Sequence, residues 1–154
     1  MIKINDKLPK LELLLTNGDT VSLQDYQQNP LVIFFYPKAN TPGCTQEGKD
    51  FRDLYAEFQK YHCQILGASR DGLKAQQNFK NKYEFPFELI SDKSETVCKA
   101  FNVIKEKSLF GRLGFGVERS TFLFNNQGVL IQEWRKVKVK EHAKIVLNNL
   151  KNSI

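Results

Sequence analysis

The sequence has few cysteines, few histidines and no long apolar run. It contains three cysteines and two histidines among 154 residues. The cysteines are odd in number and form no CxxC pair, which disfavours a disulfide framework and a zinc site built on paired cysteines. His62 and His142 are too far apart for an HxxxH or HExxH motif, so no metal site is expected. The longest apolar run, residues 31–36, is far shorter than the roughly 20 residues of a membrane-spanning helix.

The N-terminal segment MIKINDKLPK lacks the apolar stretch and the small-residue cleavage site of a secretory signal. We therefore expect a cytoplasmic protein that has no membrane partner. No linker, internal repeat or low-complexity tract interrupts the chain, which predicts a single domain over residues 1–154.

The net charge of +6 is concentrated in the last third of the chain. Residues 1–100 carry 13 basic and 13 acidic side chains, whereas residues 101–154 carry ten basic and four acidic ones. Such a surplus suits nucleic acid, another anionic partner or a solvated surface. Basic residues are densest at 135–140, where every second residue is lysine. A strand there would carry a row of positive charge on one face. A nucleic-acid-binding module is disfavoured because aromatic side chains do not interleave with these charges, and edge-strand lysines commonly prevent sheet-to-sheet pairing.

Strand and helix patterns alternate along the chain, which predicts an α/β fold with a mixed central sheet flanked by helices and an N-terminal β-hairpin. The Asn17-Gly18 pair suits a type I′ turn in that hairpin. Residues 105–118 are rich in Gly and Lys without a clear period and are predicted to form a loop. In the last helix, Ile145 is expected to face inward with its apolar neighbours. Buried strands are predicted at residues 31–36, 63–69 and 87–90, hairpins at 11–22 and 120–134, and helices at 41–61, 73–83, 94–101 and 141–150.

The segment between the buried strand at residues 31–36 and the following helix concentrates reactive chemistry. Thr41 suits the N-cap of the helix and Pro42 its first position, which places Cys44 in the first turn. Unpaired N–H groups and positive partial charge at a helix start stabilise a thiolate, the nucleophilic form of cysteine. Gly43 would let a substrate approach the backbone closely. The alternative is an inert Cys44 that packs against the strand.

The pattern Pro-x-x-x-Thr-x-x-Cys, filled here by Pro37, Thr41 and Cys44, resembles the active-site signature of peroxiredoxins. TPGCT, followed by Glu47 and the FRD of residues 51–53, is similar to their bacterioferritin-comigratory, or Q-type, branch. Further similar segments follow in family order: LGASRD, FPFELISD, VCKAFNV and GVERSTFLF. The resemblance spans essentially the whole chain. It implies a thioredoxin-like fold, reduction of hydrogen peroxide and organic hydroperoxides, and no bound cofactor.

The resemblance also implies roles for individual residues. Cys44 would be the peroxidatic cysteine, whose thiolate attacks the peroxide and becomes a sulfenic acid. Thr41 would orient the peroxide, while backbone N–H groups at the helix start stabilise developing charge. Pro37 would shield the thiolate from water. Arg119, within GVERSTF, would lie beside the thiolate and polarise the peroxide, held in place by Glu47.

One position departs from the pattern of the branch. Many Q-type members carry a resolving cysteine five residues after the peroxidatic one, where this chain has Lys49. Cys98 and Cys63 are alternative resolving thiols, but both suit buried structural positions better. We therefore expect a one-cysteine cycle, in which thioredoxin, glutaredoxin or a low-molecular-weight thiol reduces Cys44 directly. Lys49 would attract an anionic thiol or simply be solvated.

A thiol-disulfide oxidoreductase on the same fold is the nearest alternative enzyme, but it needs a second thiol near Cys44, and position 47 is Glu47. Q-type proteins are often monomers, so the resemblance favours a monomer, with a dimer as the alternative.

Overall fold

A central five-stranded mixed sheet organises the computed structural model of this chain, with its strands in the spatial order Leu89–Ser91, Gln64–Ser69, Leu31–Phe35, Ser120–Phe124 and Leu130–Trp134. The structure describes the backbone of residues 1–154 and the side chains of all of them except Leu109. Two smaller hairpins, residues 12–22 and residues 104–117, lie outside the central sheet. The strands are β1 (Glu12–Leu14), β2 (Thr20–Ser22), β3 (Leu31–Phe35), β4 (Gln64–Ser69), β5 (Leu89–Ser91), β6 (Ile104–Leu109), β7 (Arg112–Val117), β8 (Ser120–Phe124) and β9 (Leu130–Trp134). The helices are α1 (Pro42–Asp53), α2 (Tyr55–Gln59), α3 (Leu73–Tyr83), α4 (Thr96–Ala100) and α5 (His142–Asn152), with a 3₁₀ turn at Leu23–Tyr26.

Strand β3 forms the centre of the sheet because all five of its side chains are apolar and buried. It runs parallel to β4 and antiparallel to β8. Successive side chains point to opposite faces, so Leu31, Ile33 and Phe35 pack in one apolar core and Val32 and Phe34 in another. The predicted mixed sheet, its flanking helices and the N-terminal hairpin are confirmed.

The turn of the N-terminal hairpin differs from the predicted type I′ turn. Residues 15–19 connect its strands, and Gly18 has a φ of 90° whereas Asn17 is not in the left-handed region. The side-chain oxygen of Asn17 instead accepts a hydrogen bond from the Asp19 N–H at 2.9 Å. This local Asx contact gives the Asn-Gly pair a wider turn than the two-residue loop.

The helix predicted over residues 41–61 is interrupted. Helix α1 ends at Asp53, and α2 begins at Tyr55. Leu54 between them has φ −99° and ψ 3°, and its N–H is shared between the carbonyls of Asp50 and Arg52. Such a tightened turn ends an α-helix, although the apolar spacing on either side of it is continuous.

The prediction of a loop at residues 105–118 is wrong, because this segment forms the hairpin β6-β7. Its turn is Phe110-Gly111, both with positive φ, at 52° and 76°. Gly114 and Gly116 pair with Lys107 and Lys105. Because glycine has no side chain, this segment lacks the alternation of apolar and polar side chains that indicates a strand in a sequence. The backbone hydrogen bonds between the two strands form nevertheless.

The last helix, α5, buries Val146, Leu147 and Leu150 but not Ile145, which is 45% exposed. The expectation that Ile145 faces inward is wrong, because the 3.6-residue period turns this position away from the sheet. No helix in the part of the chain that the structure describes is long and apolar enough to span a membrane.

Candidate active site

Cys44 lies in the first turn of α1, as its position after Pro42 predicts. The backbone of Thr41 is extended at the N-cap, with φ −94° and ψ 158°, but its side chain makes no capping hydrogen bond. The Thr41 hydroxyl donates instead to the Lys38 carbonyl at 2.8 Å. The N–H groups at the start of α1 are therefore not capped by the Thr41 side chain, and they add positive partial charge beside Cys44.

Arg119 connects the cysteine to a buried carboxylate. Its Nη2 lies 3.4 Å from Cys44 Sγ, and its Nη1 lies 2.8 Å from Glu47 Oε1. Cys44 is fully buried and Glu47 is 1% exposed. One planar guanidinium thus contacts both groups, a geometry that a single ammonium does not reproduce. Residues separated by 75 positions in the chain meet because β8 pairs antiparallel with β3 and brings its first residue, Ser120, beside Phe35.

Gly43 lies close to the Arg119 guanidinium. A Cβ added at Gly43 would lie 3.2 Å from Arg119 Nη2, tighter than ordinary van der Waals contact. The absence of a side chain at this position thus leaves room for the guanidinium.

Burial and opposite charge compete in this ion pair. Burial raises the pKa of Glu47 to about 7, although the Arg119 charge and hydrogen bond lower it. Burial lowers the pKa of Arg119, but the charges of Glu47 and Cys44 outweigh it and shift that pKa upward. The guanidinium therefore stays cationic beside the sulfur. The second carboxylate oxygen of Glu47, Oε2, has no hydrogen-bond partner.

The loop that carries Pro37 is fastened to the end of β4. Asp71 Oδ2 accepts hydrogen bonds from the Ala39 N–H at 2.8 Å and from the Ser69 hydroxyl at 2.6 Å. Pro37 is half-buried at the start of this loop. Sequence reasoning assigned no role to Asp71, although it ends the LGASRD segment. Its position at the carboxyl end of a parallel strand is the signal that indicates a site residue.

His142 is a second buried group near the site that the sequence did not indicate. Its Nε2 lies 2.7 Å from the Thr121 hydroxyl, and its ring packs against Phe51 and Trp134. Burial, with a smaller contribution from the Arg119 charge, lowers the pKa of His142 to about 4. The neutral imidazole therefore supports the strand that follows Arg119. A lone histidine in the sequence carries no signal of this kind.

The other two cysteines lie away from Cys44. Cys98 belongs to the apolar core on the opposite side of the sheet. Cys63 shares the core of Cys44 but precedes Gln64, the partner of Leu31 at the far end of β3. At about 3.3 Å per residue, β3 spans roughly 15 Å from that end to the end that leads into the loop before Cys44. Burial raises the pKa of Cys63 to about 12 and that of Cys98 still further.

The basic segment 135–140 does not form the charged strand face that the sequence suggested. Strand β9 ends at Trp134, and the segment after it is not a strand. Arg135 donates to the carbonyls of Phe101 and Asn102 and contacts the carboxylates of Glu118 and Glu133. These contacts of the Arg135 side chain anchor the start of this segment to the fold.

Among the side chains that the structure describes, no three His, Cys, Asp or Glu residues cluster as a metal site.

Residues 4–133 match the model of the AhpC/TSA family. The chain is similar to peroxiredoxin Bcp of Xanthomonas campestris, with 50% identity over 141 residues that cover 92% of this chain and 88% of that protein. It is also similar to peroxiredoxin Bcp of Bacillus subtilis, with 46% identity over 151 residues that cover 98% of this chain and 96% of the relative.

Solved structures give the same result. A cysteine-to-serine mutant of PrxQ from Xylella fastidiosa superposes with a TM-score of 0.94 at 41% identity, over 99% of this chain and 98% of that one. The bacterioferritin comigratory protein of Xanthomonas campestris, solved for insight into its alkyl peroxide reduction activity, superposes with a TM-score of 0.89 at 49% identity, over 93% and 91%. These similarities confirm the thioredoxin-like fold.

Proposed function

We propose that Cys44 is the peroxidatic cysteine and Arg119 its principal catalytic partner in this chain, which belongs to the AhpC/TSA family and is a thiol-dependent peroxidase of the Bcp and PrxQ kind. The observation that carries the proposal is the 3.4 Å approach of Arg119 Nη2 to Cys44 Sγ at the start of α1. A cation and a helix N-terminus thus lie beside the sulfur, where negative charge develops in the proposed reaction.

In the first half of the reaction, the Cys44 thiolate attacks the terminal oxygen of the hydroperoxide ROOH. The S–O bond forms as the O–O bond breaks, so sulfur is oxidised to the sulfenic acid and the substrate leaves as RO⁻. Overall, the proton that the thiol released on ionising completes the alcohol, or water when the substrate is hydrogen peroxide.

The surrounding residues act on the charge that develops between the two oxygens. Arg119 and the N–H groups at the start of α1 stabilise it, in the manner of an oxyanion hole. The Thr41 hydroxyl orients the peroxide, and Pro37 limits access of water. Glu47 is a positioning residue, since it contacts Nη1 of Arg119 and leaves Nη2 to face the sulfur.

Exchange of Cys44 tests this assignment. Cys44→Ser is expected to abolish peroxide reduction, measured as thiol-coupled consumption of hydrogen peroxide, because serine is not ionised at neutral pH. Cys63→Ser is the matched control and is expected to retain turnover. Retained turnover in Cys44→Ser would overturn the assignment.

We further propose that the sulfenic acid is reduced by an external thiol without an internal disulfide. The resolving position of many Q-type proteins holds Lys49, whose Nζ lies 5.8 Å from the centre of the Tyr83 ring. A disulfide brings its Cα atoms within about 7 Å, whereas Cys98 packs in the core on the other face of the sheet and Cys63 precedes the partner of the far end of β3. One thiol would form a mixed disulfide with Cys44 and release water, and a second thiol would free Cys44 as the external disulfide forms.

Intact mass spectrometry after one equivalent of peroxide tests the one-cysteine cycle. We expect a species with one added oxygen, unchanged in Cys63→Ser and in Cys98→Ser. A loss of two hydrogen masses that disappears in either variant would identify an internal disulfide and contradict the cycle.

The partners of this reaction are a hydroperoxide and a thiol reductant. We propose that the reductant is thioredoxin, glutaredoxin or a low-molecular-weight thiol, that no bound cofactor takes part, and that the protein acts in the cytoplasm. The thiol-disulfide oxidoreductase alternative has no support from the site, since Arg119 contacts the Glu47 carboxylate at the position where that chemistry needs a second thiol. Turnover with each purified thiol system identifies the reductant.

A further inference from the structure

The hairpin β6-β7 exposes large apolar side chains to solvent. Three of the seven large apolar side chains that are exposed in the described part of the chain lie in this hairpin: Phe110, Leu113 and Phe115, with exposures of 95%, 74% and 68%. Exposed apolar groups concentrated on one element mark a contact surface more strongly than scattered ones do.

The hairpin also carries three basic side chains. Because paired residues of an antiparallel ladder share a face and successive residues alternate, Lys105, Lys107 and Arg112 fall on one face of the hairpin, opposite Leu113 and Phe115. The stem of Lys107 lies over Gly116, where a Cβ would come within 2.9 Å of it, and its Nζ donates to the Val117 carbonyl. The hairpin as a whole has one acidic residue, Glu106, against these three cations.

The apex of the hairpin is unusual in its residue choice. Phe110 has a φ of 52° at a two-residue turn, where Asn or Gly adopts the left-handed region at lower cost. The backbone of Phe110 is therefore strained, and its aromatic ring lies at the most exposed point of the hairpin. A ring in that place has no packing role within the monomer.

The hairpin projects from the end of the sheet that carries Cys44. Arg119 follows two residues after β7, and the Phe115 carbonyl accepts a hydrogen bond from Arg70 Nη2 at 3.1 Å. Arg70 precedes Asp71, which fastens the loop of Pro37. A groove beside the active-site loop is lined by Pro37, Lys38, Arg70, Asp71, Lys93 and Glu95, and Arg70 connects it to the hairpin.

We propose that β6-β7 docks the protein on an anionic lipid bilayer surface. Phe110 and Leu113 enter the boundary between headgroups and acyl chains, and Arg112 with the two lysines contacts headgroup phosphates. Three residues of strand cover about 10 Å, which matches the interfacial depth of about 5–10 Å that such elements reach. A second copy of this chain is disfavoured as the occupant, because it would bring two cationic hairpins together. This contact needs no membrane-spanning segment, so the absence of a long apolar run does not exclude it.

Docking would direct the mouth of the Cys44 site toward the bilayer. This consequence rests on the proposed function, and it names hydroperoxides formed on membrane lipids as the substrate class within reach of Cys44.

Vesicle sedimentation tests the docking. We expect the protein to sediment with vesicles of phosphatidylcholine and phosphatidylglycerol, less with added salt, and less still with phosphatidylcholine alone. The double variant Phe110→Ala/Leu113→Ala is expected to lower the partition coefficient by about tenfold or more, because it removes most of the inserted apolar area. Ile145→Ala, at an exposed apolar residue of α5, is the matched control and is expected to bind unchanged.

Several outcomes would overturn the docking. One is wild-type protein that stays in the supernatant with anionic vesicles, and another is a double variant that binds as well as wild type. Conversion of a wild-type dimer to a monomer by the double variant, seen in analytical ultracentrifugation, would assign the hairpin to a second copy instead.

Turnover of soluble hydrogen peroxide separates this proposal from the proposed function. The hairpin variants are expected to retain that turnover, and Cys44→Ser is expected to retain vesicle binding. Vesicle binding with an active Cys44→Ser would overturn the function and leave the docking in place. The reverse pattern, an active wild type that binds no vesicles, would overturn the docking alone.

Discussion

At the scale of single residues, the guanidinium of Arg119 is the group on which the site depends. It contacts the Cys44 sulfur with one nitrogen and the Glu47 carboxylate with another. Gly43 allows this approach by having no Cβ. In the proposed mechanism, the carboxylate orients the fork, and the fork presents its remaining N–H groups to the reacting atoms.

Arg119→Lys tests the need for a planar fork. Lysine keeps the positive charge but cannot contact both groups in the same way. We expect kcat/KM for hydrogen peroxide to fall by about 100-fold, the scale of losing one donor to developing charge. Stopped-flow kinetics measures the change, and Arg112→Lys, at an exposed hairpin residue, provides the control. Equal rates in Arg119→Lys and wild type would show that charge alone suffices.

At the scale of elements, the contact between α1 and the segment after α3 positions the helix that carries Cys44. Gly48 of α1 faces the Phe85 ring, and a Cβ added there would overlap that ring. Phe85 in turn stacks on Phe87, with ring centres 5.3 Å apart. The ring has little room to move away, so the helix is held at a fixed distance from its neighbour.

Gly48→Ala is expected to destabilise the protein by about 1–3 kcal/mol, the usual cost of overpacking a core. Urea unfolding followed by far-UV circular dichroism measures this change. Gly114→Ala is the control, because nothing lies within 4 Å of a Cβ built at Gly114, and its effect is expected to stay within about 0.5 kcal/mol. Equal stabilities of the two variants would show that α1 can shift without cost.

At the scale of the whole molecule, the buried imidazole of His142 makes stability depend on pH. Burial lowers the pKa of His142 from 6.5 to about 4. Between these values the unfolded chain binds a proton that the folded chain does not, so stability falls as the pH decreases through this range. Glu47 acts with the opposite sign, because burial raises its pKa from 4.5 to about 7 and favours the folded state at low pH.

Comparison of wild type with His142→Gln isolates the histidine, since the contribution of Glu47 is common to both proteins. We expect the free energy of unfolding of wild type to fall by up to roughly 3 kcal/mol relative to the variant between pH 6.5 and pH 4. Urea unfolding at stepped pH measures the difference. His62→Asn, at an exposed position, is expected to follow wild type. Parallel curves for wild type and His142→Gln would contradict a neutral buried imidazole.

The hairpin β6-β7 shows where sequence reasoning failed. The strand at residues 31–36 was predictable because a continuous apolar run marks a buried strand. The strand at residues 120–124 was predictable because it precedes the turn residues 125–128 of a hairpin. The hairpin has glycine at two of its paired positions and lysine opposite them. Its pairing is held by backbone hydrogen bonds and a turn with two positive φ angles, and neither is read from hydrophobic periodicity. The break at Leu54 was missed for a related reason, since it changes the backbone without changing the apolar face.

The sequence by itself determined the strand before the site, the helix start after it and the thiol in the first turn. These features are local, and capping and buried-strand patterns act over a few residues. The family resemblance implied that Arg119 lies beside Cys44, and the tertiary structure makes this contact across 75 positions. Only the tertiary structure decided that Cys98 lies on the other side of the sheet. Those outcomes depend on which strands pair and in which register, and that choice is made by long-range packing. The scarcity of cysteine in the sequence thus left the resolving step open, and the sheet separates the thiols that remain.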